Sequence, residues 1–481
     1  MSAPTFPNYI DGAWVEGPTF ENRNPANTAE VVGLHVSGTP ADIARAASAA
    51  ETALPAWSAL NAPARGAYLF KVADILDSRF DEISAEMTRE EGKTLPEAKG
   101  EVRRSINIFR YFAGEGARLA GTLAPSERPR VHMFSIRKPV GVVALITPWN
   151  FPSAIPAWKL APALICGNTV IMKPASAAPI SSWRIIEACH EAGIPAGVVN
   201  FISGGGGALG AALLNAAPVR AVSFTGSCGV GLKLHEEASR RRLRIQLEMG
   251  GKNPTIVLAD ADFNAAVENV VNGAFFSTGQ KCTATSRAIV EEPIYDRFVE
   301  AVVARTQQLK VGDGMQPGID IGPCVDEGQM RTVLEYIEIG RKEAGEPLCG
   351  GHRLTGPEHA AGWFVEPTVF AGVTPEMRIA REEIFGPVLA VMKARDFHHA
   401  LEIANGSEFG LSASLQTSNL SRMYEYVYGM EAGLLTVNLP SAGVEYQLPF
   451  GGTKDSSFGP KEQGPAAFEF YSDWKTVYIK Y

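Results

Sequence analysis

Between residues 41 and 119 the apolar positions recur at the three-to-four-residue spacing of amphipathic helices. This spacing predicts helices over Ala41–Leu54, Pro63–Glu91 and Arg103–Leu119. Pro63 suits the start of the second helix, because the first turn of a helix tolerates proline. The chain therefore opens on a helix-rich region.

From residue 131 onward, short apolar runs of strand type alternate with helical segments. The predicted strands are Val131–Lys138, Gly141–Ile146, Thr169–Lys173, Val198–Ile202 and Ala221–Phe224, and the helices between them are Ala154–Ile165 and Ser181–Ala192. This order is typical of a parallel sheet covered on both faces, the doubly wound α/β class. Later strands at Thr255–Leu258, Arg287–Val290 and Val388–Met392 predict a second α/β unit after residue 250. The alternating tail, Trp474–Tyr481, can pair with another strand or another subunit.

Length and charge narrow the class of protein. A chain of 481 residues is too long for one compact core, so two or three subdomains are expected. A net charge of −8, from 44 basic and 52 acidic residues, argues against a nucleic-acid partner. The basic cluster at 240–244 follows Glu236 and Glu237, which favours a solvated end of a helix over a nucleic-acid surface.

The N-terminal residues, the lengths of the apolar runs and the cysteine spacing together predict a cytoplasmic protein. Residues 1–14 show no basic segment followed by an apolar one, so no secretory signal is expected there. No apolar run reaches the ~18 residues of a membrane span, so no membrane partner is expected. The cysteines form no CxxC pair, which disfavours metal sites and disulfides and fits a reducing cytosol. They are Cys166, Cys189, Cys228, Cys282, Cys324 and Cys349.

Two glycine-rich segments follow predicted strands. Residues 203–210 satisfy GxGxxG, but no acidic residue follows at the spacing of the dinucleotide fingerprint, so an ordinary turn into a helix remains an alternative. Residues 224–231 also run from strand to helix, where backbone amides suit a pyrophosphate. Lys173 adds a cation at the carboxyl edge of the same sheet, where ligands bind. Together these features predict a dinucleotide site.

Three residues form a candidate catalytic set. Cys282 lies in a polar, glycine-containing segment rather than in an apolar run, and the adjacent Lys281 would favour its thiolate, the attacking species. Glu248 precedes a double glycine, and Asn150 follows a buried strand. Each has an ordinary alternative, since Glu248 can be a surface charge and Asn150 a helix N-cap.

With these residues in place, the chain resembles the aldehyde dehydrogenase superfamily over essentially its whole length. The matching segments are Thr147–Pro152, Lys159–Leu164, Lys173–Pro174, Phe224–Ser227, Leu247–Pro254, Gly279–Cys282, Glu382–Val388 and Pro449–Lys454. The resemblance implies an α/β fold with a Rossmann-type doubly wound cofactor domain, a second α/β catalytic domain and a small β oligomerisation arm. The implied boundaries are 1–121 and 141–250 for the cofactor domain, 251–435 for the catalytic domain, 122–140 and 465–481 for the arm, and 436–464 for a return segment lining the active site.

The resemblance also implies an NAD(P)-dependent oxidation with named roles. Cys282 would form a thiohemiacetal with the aldehyde, whose oxyanion the Asn150 side chain and the Cys282 amide would hold. Glu248 would activate the water that hydrolyses the resulting thioester, or the thiol before it, and Lys159 would support the proton-relay region. No metal is expected. The implied cofactor-binding residues are Trp149, Lys173, Ser176, Gly206, Gly210, Gly226, Ser227, Gly231, Glu383 and Phe385.

Some positions depart from the family pattern. NAD-preferring relatives usually carry a glutamate where this chain has Ser176, so we expect both NAD and NADP to be used. Cys228 replaces the usual threonine. Glu462 lies one position later than the family's acid, and whether it replaces that acid is open at this stage. CoA-acylating relatives typically lack the glutamate at position 248, which argues against that class.

The substrate is a semialdehyde acid by the same resemblance. Succinate-semialdehyde dehydrogenases carry two carboxylate-binding arginines where this chain has Trp158 and Phe276, whereas segments 438–452 and 456–464 resemble the α-ketoglutaric semialdehyde dehydrogenases of sugar-acid breakdown. Arg104 is the candidate cation for the substrate carboxylate, and a surface arginine paired with Glu101 is its alternative. The expected substrate-binding residues are Arg104, Trp158, Phe276 and Phe450.

Three further expectations complete the interpretation. Succinate or glutarate semialdehyde is the alternative substrate. A non-catalytic binding or structural protein is the alternative of another class, and it would be marked by loss of Cys282, Glu248 or Asn150, none of which is lost. The strands Val131–Lys138 and Trp474–Tyr481 imply, by resemblance, a homodimer or homotetramer.

Overall fold

The computed structural model describes residues 3–481, so residues 1 and 2 of the predicted cofactor domain lie outside the described residues. The helices are α1 (Pro40–Ala59), α2 (Ala62–Ser78), α3 (Phe80–Glu91), α4 (Leu95–Glu115), α5 (Ala154–Ile165), α6 (Ile180–Glu191), α7 (Gly206–Asn215), α8 (Cys228–Arg241), α9 (Phe263–Phe275), α10 (Tyr295–Thr306), α11 (Glu327–Ala344), α12 (Arg378–Arg381), α13 (Phe397–Asn405), α14 (Leu420–Gly429) and α15 (Ala467–Tyr471).

The strands are mostly short, as is usual for α/β proteins. They are β1 (Thr5–Phe6), β2 (Asn8–Ile10), β3 (Ala13–Val15), β4 (Thr19–Asn24), β5 (Asn27–Val36), β6 (Leu123–Pro125), β7 (Val131–Pro139), β8 (Val142–Ile146), β9 (Thr169–Lys173), β10 (Val199–Phe201), β11 (Val219–Thr225), β12 (Arg244–Glu248), β13 (Asn253–Val257), β14 (Thr285–Glu291), β15 (Thr368–Phe370), β16 (Val388–Ala394), β17 (Phe409–Gly410), β18 (Ser412–Gln416), β19 (Leu434–Val437), β20 (Thr453–Lys454), β21 (Ser457–Phe458) and β22 (Ser472–Lys480).

The first large sheet has eight strands in the order β21-β12-β11-β8-β9-β10-β2-β3. Its five central strands are parallel, and successive side chains of β8 enter two different cores. Val142 and Ala144 pack with α1, α7 and α8, whereas Val143 and Leu145 pack with α2, α4, α5 and α6. The period-two alternation of a strand thus fills both faces, and the sheet is doubly wound as expected.

The second large sheet has six parallel strands in the order β15-β16-β14-β13-β18-β19. Helices α9 and α10 pack on one face, and α11, α13 and α14 pack on the other. A separate antiparallel sheet, β22-β7-β6, pairs the tail with residues 131–139. The chain thus has a mixed α/β fold with two α/β units and a small β sheet, as the resemblance implied.

Several predicted elements coincide with the observed ones residue for residue, among them Ala154–Ile165 and Thr169–Lys173. The predicted helix 63–91 is instead two helices, because Arg79 leaves the helical conformation (φ −112°, ψ 19°). The predicted helix 103–119 begins earlier, at Leu95. Thr94 and Glu97 form a capping box there, which satisfies the first amides of the helix.

Other expectations concern thiols, charge and membranes. All six cysteines are free thiols, and residues 3–481 contain no group of three or more His, Cys, Asp or Glu able to hold a metal. Arg240, at the end of α8, pairs with Glu237 on the solvent side, as expected for a solvated helix end. Within the described range, no helix is long and apolar enough to cross a bilayer.

Candidate active site

Two cavities meet at Cys282, and this cysteine is the one described residue that lines both. The first, which we name the charged cavity, has a volume of about 300 Å³ and is lined by Lys93, Glu97, Glu101, Arg104 and Lys281 together with aromatic side chains. The second, which we name the strand-end cleft, has a volume of about 240 Å³ and lies at the carboxyl ends of β8, β11 and β12.

An irregular turn between α9 and β14 brings Cys282 to this junction. Ser277, Thr278 and Gly279 all have left-handed backbones, with φ of 54°, 57° and 65°. A Cβ at Gly279 would lie 2.3 Å from the Gly386 carbonyl oxygen, so glycine is required there. The Ser277 amide donates to Glu97 at 2.6 Å, which anchors the turn. Strained backbone of this kind costs about 1–3 kcal/mol per residue and is concentrated at functional sites.

The Cys282 thiol is protonated in this environment. Burial, and after it the carboxylates of Glu383 and Glu248, raise its pKa to about 12. The expected help from Lys281 does not offset these effects, since burial lowers the pKa of Lys281 itself to about 8. Cys282 raises the pKa of Lys281, so the two groups attract each other when charged, and the prediction that Lys281 favours the thiolate stays a prediction. Burial nevertheless dominates at the thiol, so the nucleophile needs a base.

Glu248 ends β12 and is buried, so it is not the surface charge of the alternative interpretation. Burial, and after it the nearby Glu462 carboxylate, raise its pKa well above the usual value. Its Oε2 accepts a hydrogen bond from Ser457 Oγ at 2.5 Å. Its side chain faces the return segment, because a Cβ at Gly451 would lie 2.6 Å from Oε1. A carboxyl whose pKa is raised by burial holds a proton more readily than an exposed one, which suits a group that accepts protons.

Glu462 joins two residues of α5 beneath Glu248. Its carboxylate forms a buried ion pair with Lys159 and accepts from Trp158 Nε1 at 2.6 Å. Lys159 also donates to Ser223 Oγ at 2.7 Å. Glu462 therefore lies between Lys159 and Trp158 on one side and the Glu248 carboxyl on the other.

Asn150 lies on the wall of the strand-end cleft, beside Cys282. Its Nδ2 donates to the Gln280 carbonyl oxygen at 3.1 Å, two residues before the cysteine. The helix N-cap alternative is wrong, because Ser153 is the N-cap of α5 and Glu101 accepts from the Ser153 amide. An amide group is thus held near the sulfur without serving the helix.

Arg104 lies within the charged cavity rather than on an open surface. Its guanidinium is over the Trp158 ring at 5.5 Å, and Nη2 donates to Gln463 Oε1 at 3.3 Å. Its Nε has no hydrogen-bond partner among residues 3–481. The alternative of a surface pair with Glu101 is wrong, since Glu101 pairs with Lys93 at 2.6 Å. Burial lowers the pKa of Arg104 while Glu101 raises it.

Of the three aromatic residues predicted to bind the substrate, two line the charged cavity and one does not. Trp158 and Phe450 both line the charged cavity, with ring centroids 5.3 Å apart. Phe276 is not among the lining residues and packs against the apolar cluster of α9 and α10 instead. The backbone reverses at Ser277, so Ser277 faces the cavity in place of the phenylalanine.

The walls of the strand-end cleft combine aromatic, hydroxyl and carboxyl groups. Trp149 meets Phe385 edge to face, with centroids 5.4 Å apart. Glu383 accepts from the Gly251 amide at 2.9 Å, and burial raises its pKa to about 7. The buried Thr225 Oγ1 has no hydrogen-bond partner within the described part of the chain. Gly226 and Ser227 complete this wall at the start of α8.

The predicted glycines differ in what surrounds them. A Cβ at Gly206 or Gly210 would meet no described atom within 4 Å, and neither residue lines the cleft. A Cβ at Gly231 would lie 2.5 Å from Met249 Sδ, and one at Gly226 would lie 2.6 Å from the Phe224 ring. Close packing therefore restricts side chains at Gly226 and Gly231 but not at Gly206 or Gly210.

Two further predicted residues lie at the edge of the same sheet, outside the lining of the cleft. Lys173 donates to the Pro174 carbonyl oxygen at 2.8 Å, and burial lowers its pKa to about 8. Ser176 donates to the Gly204 carbonyl oxygen at 2.8 Å. This contact ties it to the first glycine-rich segment.

The structure also reveals residues to which the sequence gave no role in the site. Lys93 and Glu97 line the charged cavity, and Gln463 contacts Arg104. Glu101, expected only as a possible surface partner of Arg104, lines the cavity too. Only the Thr94-x-x-Glu97 capping pattern gave a local signal for any of them.

Comparison with known proteins agrees with this geometry. Residues 14–477 match the sequence profile described as "Aldehyde dehydrogenase family". The chain is 48% identical to the alpha-ketoglutaric semialdehyde dehydrogenase of Bacillus subtilis, covering 99% of this chain and 98% of that one. It is 41% identical to the 2,5-dioxopentanoate dehydrogenase of Saccharolobus solfataricus, covering 97% of each. Its fold matches the crystal structure of betaine aldehyde dehydrogenase from Staphylococcus aureus in complex with NAD⁺, with a TM-score of 0.96, 33% identity, and coverage of 99% and 94%.

Proposed function

Because this chain belongs to the aldehyde dehydrogenase family, we propose that it oxidises α-ketoglutaric semialdehyde (2,5-dioxopentanoate) to 2-oxoglutarate with NAD or NADP. One observation carries the proposal. Cys282 is the only described residue shared by a cavity containing an arginine and a cleft at the edge of a doubly wound sheet. A nucleophile so placed can bond to an aldehyde on one side while a cofactor lies on the other.

The strand-end cleft fits a nicotinamide dinucleotide. It holds an unpartnered Thr225 hydroxyl and a Glu383 carboxylate that can accept ribose hydroxyls. Trp149 and Phe385 supply aromatic surface. Ser227 is the N-cap of α8, and the backbone amides at such a helix N-terminus favour phosphates. When bound, the nicotinamide supplies a hydride acceptor.

Ser176 supports the use of both cofactors. It brings no negative charge to the sheet edge, so nothing at this position repels the 2′-phosphate of NADP. A preference for NAD above roughly a hundredfold, about 2.7 kcal/mol, would contradict this part of the proposal.

The protein residues then act in sequence. Cys282 Sγ bonds to the aldehyde carbon, and its proton leaves to a base, a role that we assign to Glu248. The Asn150 amide and the Cys282 amide stabilise the resulting oxyanion. Loss of hydride from the thiohemiacetal carbon leaves a thioester on the sulfur. Water attacks that thioester while Glu248 takes a proton from the water. The C–S bond then breaks, the acid is released, and the Cys282 thiolate regains a proton. Lys159 and Glu462 support Glu248 in passing the proton on.

The substrate carboxylate is assigned to Arg104. The product is a dicarboxylate, so a cation is needed at the far end of the charged cavity from Cys282. Arg104 has a free Nε donor and a guanidinium whose contacts are an aromatic ring and an amide. Trp158 and Phe450 enclose the chain of the substrate. Succinate and glutarate semialdehydes remain the alternatives, since each also carries one carboxylate.

Assembly and location belong to the same proposal. We assign residues 1–121 and 141–250 to the cofactor domain, 251–435 to the catalytic domain, 436–464 to the return segment, and 122–140 with 465–481 to an oligomerisation arm. The arm's β22 exposes Trp474, Tyr478 and Ile479, and β19 forms an edge of the six-stranded sheet. Such surfaces suit a homodimer or homotetramer. We propose the cytoplasm as its location. Light scattering that shows a monomer would contradict the oligomeric assignment.

One experiment tests the substrate. The ratio kcat/KM is measured from nicotinamide reduction with α-ketoglutaric, succinic and glutaric semialdehydes, each with NAD and with NADP. The proposal requires the largest value for α-ketoglutaric semialdehyde. A larger value for either of the others replaces the substrate, and no reduction with any aldehyde favours a non-catalytic scaffold.

A further inference from the structure

A buried ion pair connects helix α4 to the loop that carries Asn150. Lys93 lies between α3 and α4, and Glu101 lies within α4. Lys93 Nζ is 2.6 Å from Glu101 Oε2 and 3.7 Å from Glu91 Oε2. Lys93 is 2% exposed and Glu101 is 4% exposed, so both charges are withdrawn from water. None of the catalytic steps above uses this pair.

Each member of the pair also holds the loop directly. Lys93 Nζ donates to the backbone carbonyl oxygen of Asn150 at 2.7 Å and lies over the Phe151 ring at 4.5 Å. Glu101 Oε1 accepts from the amides of Ser153 and Ala154, at 2.8 Å and 3.0 Å. Residues 150–154 are therefore fixed at both ends by one ion pair.

We propose that the Lys93–Glu101 pair is a positioning element that keeps the Asn150 amide aimed at the oxygen of the aldehyde bound to Cys282. This inference rests on the proposed function, because it takes the oxyanion role of Asn150 from it. The Asn150 side chain makes one protein hydrogen bond, to Gln280, so its direction depends on the backbone that Lys93 holds. A displacement of about 1 Å at a reacting group can cost roughly a hundredfold in rate.

Energetics favour this role over a purely structural one. A buried ion pair gains little stability over an apolar replacement, because desolvation offsets the attraction between its charges. The same pair fixes geometry well, since its hydrogen bonds converge on one short loop. Removing one partner leaves a buried charge, whereas removing both leaves the net charge unchanged.

The test compares Lys93→Met, Glu101→Gln and the double variant with the wild type. The readout is the pre-steady-state rate of nicotinamide reduction with propanal, which carries no carboxylate. Each single variant is expected to lose about tenfold or more, and the double variant to lose no more than the worse single one, because both act through the same contact. Arg103→Gln is the matched control. Arg103 is also on α4, but it is 43% exposed and pairs with Asp77 at 2.7 Å, so its rate should stay within about twofold.

A second readout separates positioning from loss of structure. The double variant keeps the net charge, so the rate of Cys282 alkylation by iodoacetamide and the Kd for NAD should stay within about twofold of wild type. A pre-steady-state rate in the double variant that matches wild type overturns the proposal. A parallel fall in alkylation, NAD binding and rate also overturns it, because the pair is then a general structural support.

Conservative variants cover the case of poor folding. Lys93→Arg and Glu101→Asp keep the charges and are expected to lie between wild type and the neutral variants in rate. If these also yield no folded protein, the pair is a folding requirement and the proposal fails. A wild-type protein that oxidises propanal but no semialdehyde acid overturns the proposed substrate and leaves this result intact.

Discussion

The charged cavity and the strand-end cleft meet at one residue but are walled by different kinds of group. Long side chains from α4 and the return segment dominate the first, including Arg104 and Phe450. The second is formed where parallel strands end, and residues that directly follow β8, β11 and β12 contribute much of its wall. A sheet edge fixes backbone positions closely, whereas a cavity of long side chains depends on what holds each side chain in place.

This difference explains where recognition and anchoring reside. The cleft presents groups that any nicotinamide dinucleotide can use, because its position follows from the fold class. The charged cavity presents groups particular to this chain, such as Arg104 held by Gln463 and Trp158. Substitutions in the strand-end cleft should therefore change binding of the cofactor, and substitutions in the charged cavity should change the choice of aldehyde.

The largest expected effect comes from a residue that lines neither cavity. Glu248→Gln keeps the shape of the side chain but removes the base, so kcat should fall by about 10³. The KM for the aldehyde and the Kd for NAD should stay near their wild-type values, because both compartments are intact. Steady-state kinetics and titration measure these quantities. A kcat within about tenfold of wild type would remove Glu248 from the base role.

The protonation of Cys282, which lines both cavities, gives the second-largest expected effect. With a pKa of about 12, Cys282 is a thiol at neutral pH, and its thiolate fraction rises about tenfold per pH unit below that value. Alkylation of the free enzyme by iodoacetamide, followed at Cys282 by peptide mass spectrometry, should therefore rise about a hundredfold between pH 7 and pH 9. A rate that levels off below pH 9 would show that a neighbouring group already stabilises the thiolate.

Arg104→Ala tests the charged cavity alone. Loss of a charged hydrogen bond to the substrate costs about 1.5–3 kcal/mol, so KM for the semialdehyde acid should rise roughly ten- to a hundredfold. KM for propanal and for NAD should change little. Arg103→Ala is the control, because Arg103 lies next to Arg104 on the same helix but its side chain is 43% exposed. Equal effects of Arg104→Ala on both aldehydes would refute the carboxylate role.

The smallest effect is expected on the cofactor side. Ser176→Glu adds a carboxylate at the position that we propose for the 2′-phosphate of NADP, so kcat/KM with NADP should fall about tenfold relative to NAD, or 1.4 kcal/mol. The values for different aldehydes should keep their ratios. Ser176→Gln is the control, because it has the same size without charge. A changed ratio between aldehydes would show that the two compartments are coupled.

The sequence predicted the parts of the site that depend on local pattern. Asn150 and Glu248 follow or end buried strands of one sheet, and Cys282 lies in a polar segment between helix and strand, so their convergence follows from the fold class. Phe276 was misplaced because residue spacing does not show the left-handed backbone at Ser277 that turns the phenylalanine away.

Other residues were missed for a different reason. Lys93, Glu101 and Gln463 reach the site through contacts between distant segments, and no local periodicity marks a buried charge whose partner lies across a loop. Glu462 could be named but not assigned, since its role follows from contacts with Lys159 and Trp158 that only the folded chain displays. The second α/β unit, in contrast, was predicted because its strands contain short apolar runs, such as Val388–Met392.

Among residues 3–481 the two compartments share only Cys282, and this has a consequence for how the protein can diverge. Substitutions around Arg104 can alter which aldehyde is accepted without touching the wall that receives the cofactor. Substitutions near Ser176 can change the preference for a phosphorylated cofactor without altering the aldehyde. Substrate range and cofactor choice are thus separately mutable traits, and a lineage carrying this fold can acquire a new metabolic role one trait at a time.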